Sequence, residues 1–229
     1  MSDGRVLLIT GASTGIGAAT AQLAAERGFR LVLTARNRDK LDALVGEIGE
    51  ERALAVGCDV ASWEDQQRAA DAAIERFGAI DAVFANAGRG GVPGGYAEGD
   101  PAEWHEMIMT NFYGLALTLR ATLGHLKASK GDLLITGSIA GRRPIPGSVY
   151  GATKWAAKAV GYNVRGELQG SGVRVTLIEP GMVDTPFFDD PKPDALRAED
   201  VARTVLFVLE QPKSVLLNEV VVVPTAQNW

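Results

Sequence analysis

The feature that most limits what this chain can fold into is an alternation. Short apolar runs rich in β-formers recur along it, each followed by a longer segment with helical spacing. Arg5 to Thr10 reads as a strand: Val-Leu-Leu-Ile is apolar at successive positions and so needs cover on both faces, as in a parallel sheet. Gly15 to Arg27 reads as an alanine-rich helix and Arg30 to Ala35 as the next strand. Leu41, Leu44, Val45 and Ile48 then share one helical face. Ala53 to Cys58 is a third strand. Ser62 has the character of an N-cap, with Asp65 three residues on, ahead of a buried stripe of Ala70, Ala73, Ile74 and Phe77. Ala82 to Ala85 is a fourth strand.

Residues 88 to 101 are Gly-rich and read as a loop. A long helix follows, with Ile108, Phe112, Leu115, Leu119, Leu123 and Leu126 at helical spacing. Leu133 to Thr136 is strand five, Tyr150 to Gln169 a long helix, and Arg174 to Glu179 strand six. Residues 181 to 197 are irregular and carry Pro186, Pro191 and Pro193. Ala198 to Glu210 is a last helix and Glu219 to Val223 a last strand. Repeated βα units closed by a strand predict an α/β fold: a doubly wound parallel sheet of the Rossmann type, about seven strands flanked by helices on both faces. No linker, composition shift or repeat divides residues 1–229, which are read as a single domain. A compact chain of this length buries about 70–75% of its unfolded surface, enough for a core without staples.

Composition removes several function classes. A single cysteine, Cys58, excludes an intrachain disulfide and a cysteine metal cluster. The two histidines, His105 and His125, lack ligand spacing, so no metal site is expected. A net charge of −5 argues against a nucleic-acid or anionic membrane surface. Apolar runs such as Val220 to Val223 are too short to span a bilayer. Met1 to Gly4 leads directly into a strand with no secretory pattern, so a cytoplasmic location is expected.

In an open parallel sheet the ligand sits beyond the carboxyl ends of the strands, so the residues after each strand matter most. Thr10-Gly11-Ala12-Ser13-Thr14-Gly15-Ile16-Gly17 follows the first strand and opens the first helix. Glycines there allow a tight turn and close approach of backbone N–H groups to a pyrophosphate at a helix N-terminus. The spacing alone is common in a chain with 27 glycines; its place between strand and helix gives it weight. Strand two ends in Thr34-Ala35-Arg36, with no acid to hold a ribose 2′-hydroxyl and a guanidinium suited to a 2′-phosphate. This favours NADP(H), with Arg38 assisting; a plain surface arginine is the alternative. Asp59, after strand three, is placed to accept from an adenine amino group. Asn86-Ala87-Gly88, after strand four, is small enough for a dinucleotide to cross the sheet edge, and Asn86 is placed to brace neighbouring strands. Simple loop formers are the alternative at both places.

Tyr150 and Lys154 stand four residues apart at a helix start, on one face. A lysine cation favours the phenolate and brings tyrosine toward neutral-pH proton transfer. Ser138 ends strand five, twelve residues earlier, on the same sheet edge, where its hydroxyl suits a substrate carbonyl. It does not read as a nucleophile: Thr136 and Ala140 occupy the glycine positions of a nucleophile elbow, and neither histidine is placed as its base. A hydrolase or lyase is therefore disfavoured. Asn111 inside the long helix reads either as a solvated residue or as the mark of a bent helix with a bound water.

Taken in order, Thr10 to Gly17, Asp59-Val60, Asn86-Ala87-Gly88, Asn111, Ser138, Tyr150-Gly151-Ala152-Thr153-Lys154 and Pro180-Gly181 with Thr185 resemble the short-chain dehydrogenase/reductase family in its single-domain form. The resemblance covers nearly the whole chain. It implies hydride transfer between NADP(H) and a carbonyl or secondary alcohol. Tyr150 would be general acid/base, Lys154 would bind the nicotinamide ribose and tune Tyr150, and Ser138 would orient the carbonyl. Asn111 would hold a water relaying protons to Lys154. Gly11, Ser13, Thr14, Gly15, Ile16, Gly17, Arg36, Asp59, Val60, Asn86, Ala87 and Gly88 would bind the cofactor. Pro180, Gly181, Val183 and Thr185 would receive its nicotinamide end. It also implies a homo-oligomer, dimer or tetramer, formed through the long helices, where Ala152, Ala156 and Ala159 make small apolar faces. A non-catalytic NADP(H) sensor is the alternative function; it has no need of a complete Asn-Ser-Tyr-Lys set.

Two departures bear on substrate. The segment Met182 to Arg197 is short for the family's lid and carries Phe187, Phe188, Asp189 and Asp190 among its prolines. The C-terminus, Val223-Pro224-Thr225-Ala226-Gln227-Asn228-Trp229, lacks the usual Asp-Gly-Gly and resembles a subgroup acting on 3-hydroxy acids and related small metabolites. Arg142 and Arg143, just beyond Ser138, read either as a carboxylate clamp or as a solvated pair.

Overall fold

The computed structural model describes residues 4–188 and 190–227. Met1, Asp189, Asn228 and Trp229, named above, lie outside the described residues. In chain order the elements are β1 (Val6–Thr10), α1 (Gly15–Glu26), β2 (Arg30–Ala35), α2 (Arg38–Ile48), β3 (Ala53–Gly57), α3 (Trp63–Phe77) and β4 (Ala82–Ala85). Then come α4 (Gly95–Glu98), α5 (Pro101–Ile108), a π-helical turn (Met109–Tyr113), α6 (Gly114–Ser129), β5 (Asp132–Thr136), a 3₁₀ turn (Ile139–Gly141) and α7 (Val149–Glu167). The chain closes with β6 (Arg174–Pro180), β7 (Val183–Asp184), β8 (Leu196–Arg197), α8 (Ala198–Leu209) and β9 (Glu219–Val222).

Seven strands form one parallel sheet in the order β3-β2-β1-β4-β5-β6-β9. The strand order reverses at β1 and β4, which opens a crevice past their carboxyl ends. Period-two alternation sorts the strand side chains into two cores. Leu7, Ile9, Leu31 and Leu33 face α1, α2 and α8, where small Ala21 and Ala24 allow close packing. Val6, Leu8, Val83 and Leu133 face α3, α6 and α7. Both faces of the sheet are thus covered, as the unbroken apolar runs require. No helix among the described residues is long and apolar enough to cross a membrane.

Local signals set the helix starts. Ser62 Oγ accepts from Asp65 N at 3.2 Å, as its spacing predicts. Asn37 Oδ1 caps α2 through Lys40 N at 3.0 Å, and Ser148 Oγ caps α7 through Gly151 N at 2.9 Å, which puts Tyr150 in the first turn.

Four expectations are corrected. The 88–101 loop contains α4. The predicted single long helix is interrupted by the π turn, and Ile108 and Phe112 are 43% and 41% exposed. The periodic stripe therefore meets the sheet only from Leu115 onward. On α3 the buried residues are Gln66, Ala69, Ala70 and Ala73, with Ile74 and Phe77 only partly covered. Within the irregular 181–197 segment, β7 and β8 pair in parallel.

At the amino end of the sheet, Asp132 is 2% exposed and sits among cations. It accepts from Arg174 Nε at 2.5 Å and from Arg5, with Lys213 Nζ 3.5 Å away. Burial pushes its carboxyl up, but these groups outweigh burial and hold it below its ordinary value. Such a group contributes stability above the unfolded carboxylate range and loses it as pH falls through its lower folded value. Asp132→Asn should cost about 3–5 kcal/mol in urea unfolding at pH 7, because Arg174 is left buried without its anion. The gap to the parent should narrow below about pH 4.

Candidate functional site

The turn after β1 is shaped by two backbones in the left-handed region, Gly11 (φ +67°) and Gly15 (φ +56°), where a side chain would be strained. Thr14 is extended and starts α1 without a side-chain cap, so the first N–H groups of the helix remain available to an anion. Gly17 is a different case. A Cβ there would lie 2.3 Å from Gly11 O, so this residue lets α1 pack against the turn. It is not among the residues that line the cleft, and the lack of a side chain there serves packing of the turn.

A cleft of about 1130 Å³ runs along the strand ends. Gly11, Ser13, Thr14, Gly15, Ile16, Arg36, Asp59, Val60, Asn86, Ala87, Gly88, Ser138, Tyr150, Lys154, Pro180, Gly181, Val183 and Thr185 all line it. Arg36 is exposed at the end of β2. Arg38 is not in the lining; its Nε holds both oxygens of Asp42, at 2.8 and 3.0 Å, one helical turn on, in an exposed pair. Asp59 accepts from Ala61 N at 2.9 Å, closing its own loop. Cys58 also lines the cleft; burial, with the charges of Asp65 and Asp59, pushes its thiol up to about 12, which removes it as a nucleophile.

Asn86 braces three strands. Its N and Nδ2 donate to Thr10 Oγ1 and Thr10 O, at 3.0 and 3.1 Å, and its Oδ1 accepts from Thr136 Oγ1 at 3.2 Å. Asn111 is 4% exposed in the π turn and lies behind Gly88, outside the cleft lining. Its Oδ1 accepts from Arg89 N at 2.8 Å, and its Nδ2 donates to Arg89 O and Thr153 Oγ1, both at 3.1 Å. Its burial in a π turn corrects the reading of Asn111 as a solvated helix residue.

Tyr150, Ser138 and Lys154 meet at the floor. Ser138 Oγ accepts from Ala140 N at 3.1 Å, which leaves its own proton to donate. Lys154 is 5% exposed; its Nζ donates to Thr136 O at 2.9 Å and lies 5.8 Å from the centre of the Tyr150 ring. Burial lowers this ammonium from 10.5 to about 8. Burial also pushes the Tyr150 phenol above its ordinary value, and a hydrogen bond with Ser138 draws it part of the way back. The expected lowering by Lys154 is therefore corrected for the protein alone: burial is the larger effect on both groups.

Sequence reasoning missed several parts. Phe187 stands edge-on to Tyr150 at 5.6 Å and against Gly90, so the short lid reaches the candidate centre. Thr185 packs on Gly15, joining lid to phosphate turn. Gln227 accepts from Met182 N at 3.0 Å and crowds Gly181, so the C-terminal tail helps to build the cleft. No local pattern marks these contacts. Of the arginine pair, Arg143 lines the cleft, whereas Arg142 turns behind the floor to Glu179 and Glu219. The two-arginine clamp is corrected accordingly: a fully buried Glu179 demands a cation.

A parallel sheet with a glycine turn at its switch point and a Ser-Tyr-Lys cluster beyond its strand ends defines a Rossmann-type oxidoreductase scaffold. The family model described as short chain dehydrogenase matches residues 5–195, and the chain belongs to that family. It is 37% identical to sulfoacetaldehyde reductase 2 of Chromohalobacter salexigens, over 100% of this chain and 97% of that one. Among solved structures it resembles an alcohol dehydrogenase from Thermococcus sibiricus complexed with 5-hydroxy-NADP (TM-score 0.91, 35% identity, 98% of both chains). It also resembles a 3-ketoacyl-(acyl-carrier-protein) reductase from Brucella melitensis complexed with NADH (TM-score 0.89, 28% identity, 96% and 98%).

A buried lysine costs stability, and the pH dependence has a definite sign. Below pH 8 Lys154 is protonated folded and unfolded, so the folded state carries the whole cost; between 8 and 10.5 the folded state sheds its proton first and the cost fades. Lys154→Met should raise the melting temperature at pH 7, by no more than about 3 kcal/mol of stability. That gain should shrink in melts between pH 8 and 10.5.

Proposed function

We propose that this chain transfers a hydride between NADP(H) and a small carbonyl or secondary alcohol, with Tyr150 as general acid/base. One observation carries the reading: Ser138, Tyr150 and Lys154 share one cleft with the Gly11–Gly15 turn and Arg36. The residues fit a dinucleotide. The turn is cleared by two glycines at positive φ, α1 begins with uncapped N–H groups, and a guanidinium stands at the end of β2. When bound, the reduced nicotinamide supplies the hydride.

The chain's own residues do the rest. The Ser138 hydroxyl donates to the carbonyl oxygen and fixes its position. Tyr150 delivers a proton to that oxygen, a role worth about 10²- to 10⁴-fold. Lys154 holds the ribose and, as a cation, favours the phenolate left behind. Asn111 marks the turn from which a water would serve Lys154. Its side chain is taken up by Arg89 and Thr153, so backbone groups would hold that water. Pro180, Gly181, Val183 and Thr185 form the wall at the nicotinamide end, and Asp59 and Val60 the adenine side. A sensor has no use for a buried lysine that costs stability. Residues 1–229 act as one domain, and the location is cytoplasmic. The exposure of Ile108, Phe112 and Trp155, at 43%, 41% and 47%, supports a homo-oligomer through the long helices.

Tyr150→Phe should lower NADPH-dependent reduction at least 100-fold while binding NADPH within about 2-fold, checked by absorbance and by titration of cofactor fluorescence. NADP⁺ should stabilise the parent in thermal shift more than NAD⁺ does, and Arg36→Asp should reverse that order.

The substrate reading is a small acidic aldehyde or ketone. Arg143 lines the cleft near Ser138, Phe187 limits the space over Tyr150, and the relative from Chromohalobacter is named for a sulfonated aldehyde. Arg143→Ala should raise KM for sulfoacetaldehyde and 3-oxopropanoate about 10-fold or more and leave propanal nearly unchanged. Equal losses across the three would rule out the charge pairing.

A further inference from the structure

One fully buried carboxylate plays no part in the chemistry above. Glu179 on β6 is 0% exposed. One of its oxygens accepts from Arg142 Nη1. The other has no hydrogen-bond partner among the described residues and lies 3.4 Å from Lys158 Nζ. Glu219, on the edge strand β9, closes the group: it accepts from Arg142 at 2.5 Å, from Lys158 at 3.3 Å and from the Tyr162 hydroxyl. Two carboxylates face two cations. Removing such charges from water costs about as much as their attraction returns, so the cluster is a poor source of stability. Its placement is more informative.

The cluster joins β6, β9, α7 and the turn that carries Ser138. Glu179 holds that turn at both ends. At one end Gly137 lies so close that a Cβ there would stand 2.9 Å from Glu179 Cγ. At the other, Arg142 pairs with the carboxylate. Between them, Gly141 rests on α7: a Cβ there would come 2.6 Å from the backbone oxygen of Lys154. Lys158, one helical turn beyond Lys154, pairs with the same two carboxylates. A single side chain thus ties the Ser138 turn to the helix of Tyr150 and Lys154. Burial pushes Glu179 up, while Arg142 and Lys158 pull the other way.

We infer that Glu179, acting with Arg142, is a positioning residue that holds the Ser138 hydroxyl at working distance from Tyr150; the inference rests on the hydride-transfer reading. A misplacement of about 1 Å near a reacting centre costs about 10²-fold in rate. In Glu179→Gln the size is kept and the charge is lost, so Glu219 alone draws Arg142 toward β9, and the Ser138 turn follows.

The test is a double-mutant cycle on Glu179→Gln and Ser138→Ala, with sulfoacetaldehyde, 3-oxopropanoate and propanal as substrates and NADPH as reductant. Glu179→Gln should lower kcat about 10- to 100-fold with a smaller change in KM for NADPH, because the Gly11–Gly15 turn and Arg36 lie on the other half of the sheet and only the nicotinamide end adjoins Glu179. On the Ser138→Ala background the same change should cost less than about 3-fold. A crystal structure of Glu179→Gln should show Ser138 Oγ displaced from Tyr150. Arg142→Gln, at a side chain 31% exposed, runs the same cycle should Glu179→Gln not fold, and must show the same non-additivity. Independent losses in the two cycles, or an unmoved Ser138 with full kcat, overturn the inference and leave the hydride-transfer reading intact. If Ser138→Ala keeps full kcat, the inference falls together with the role given to Ser138, and hydride transfer itself stands.

Discussion

The arrangement turns on one ammonium group kept almost out of water. Lys154 is 5% exposed, and its Nζ rests on the carbonyl of Thr136 at the end of β5. A buried cation of this kind persists only where the surroundings hold it in place. Here α7 supplies the stem, β5 the acceptor, and Asn111 with Thr153 the packing on the far side. The π turn that carries Asn111 is the local distortion that lets a polar side chain reach this point from a helix otherwise committed to the core. Burial shifts Lys154 and Tyr150 in opposite directions on the pH scale and in the same chemical sense, toward the uncharged forms. Ser138 is the group that acts against that trend on the phenol.

The cleft above this floor is built by close approach. Gly17 lets α1 sit on Gly11, Thr185 rests against Gly15, and Gln227 presses on Gly181. The Gly11–Gly15 turn therefore touches the 182–197 segment, and the C-terminal tail touches the start of that segment. A change in the lid reaches the phosphate turn through Thr185, and a change in the tail reaches the lid through the bond from Met182 N to Gln227. The short lid gains its definition from these contacts and from the edge-to-face packing of Phe187 with Tyr150 and Phe188.

Much of this was readable along the chain because strand ends are local events. The apolar strand runs, the Ser62 cap and the order of strands and helices are all set by neighbours in sequence. What the sequence did not disclose depends on partners far away. Arg142 looks like any loop arginine until Glu179, 37 residues on, and Glu219, 77 residues on, are brought beside it. Helical spacing placed Ile108 and Phe112 with Leu115, but spacing alone does not say where a helix leaves the sheet. Glycine spacing likewise carries no information on whether a missing side chain makes room for a phosphate or for a backbone, and at Gly17 the backbone of Gly11 comes close. The exposed pair of Arg38 with Asp42 follows from their i,i+4 spacing.

The two ionic clusters act on the same pair of strands from opposite ends. Asp132 and Arg174 are register partners at the start of β5 and β6, and their side chains are bonded to each other. At the far end Thr136 pairs with Ile178, Gly137 N donates to Ile178 O at 2.7 Å, and Glu179 follows at once with its hold on Arg142. A parallel pair without such end fixings is set only by its hydrophobic pattern. β5 and β6, both buried on each face, have little in-and-out alternation to fix their register by pattern alone. Charge at each end supplies what the apolar residues cannot: a one-residue slip would part Asp132 from Arg174 and Glu179 from Arg142 together. Ser138 is two residues beyond β5, and the Pro180–Gly181 turn is the end of β6. The distance between them is therefore fixed by the register of these two strands, and the carboxylates at its two ends, Asp132 and Glu179, are buried, so solvent screens their pairs less than surface pairs.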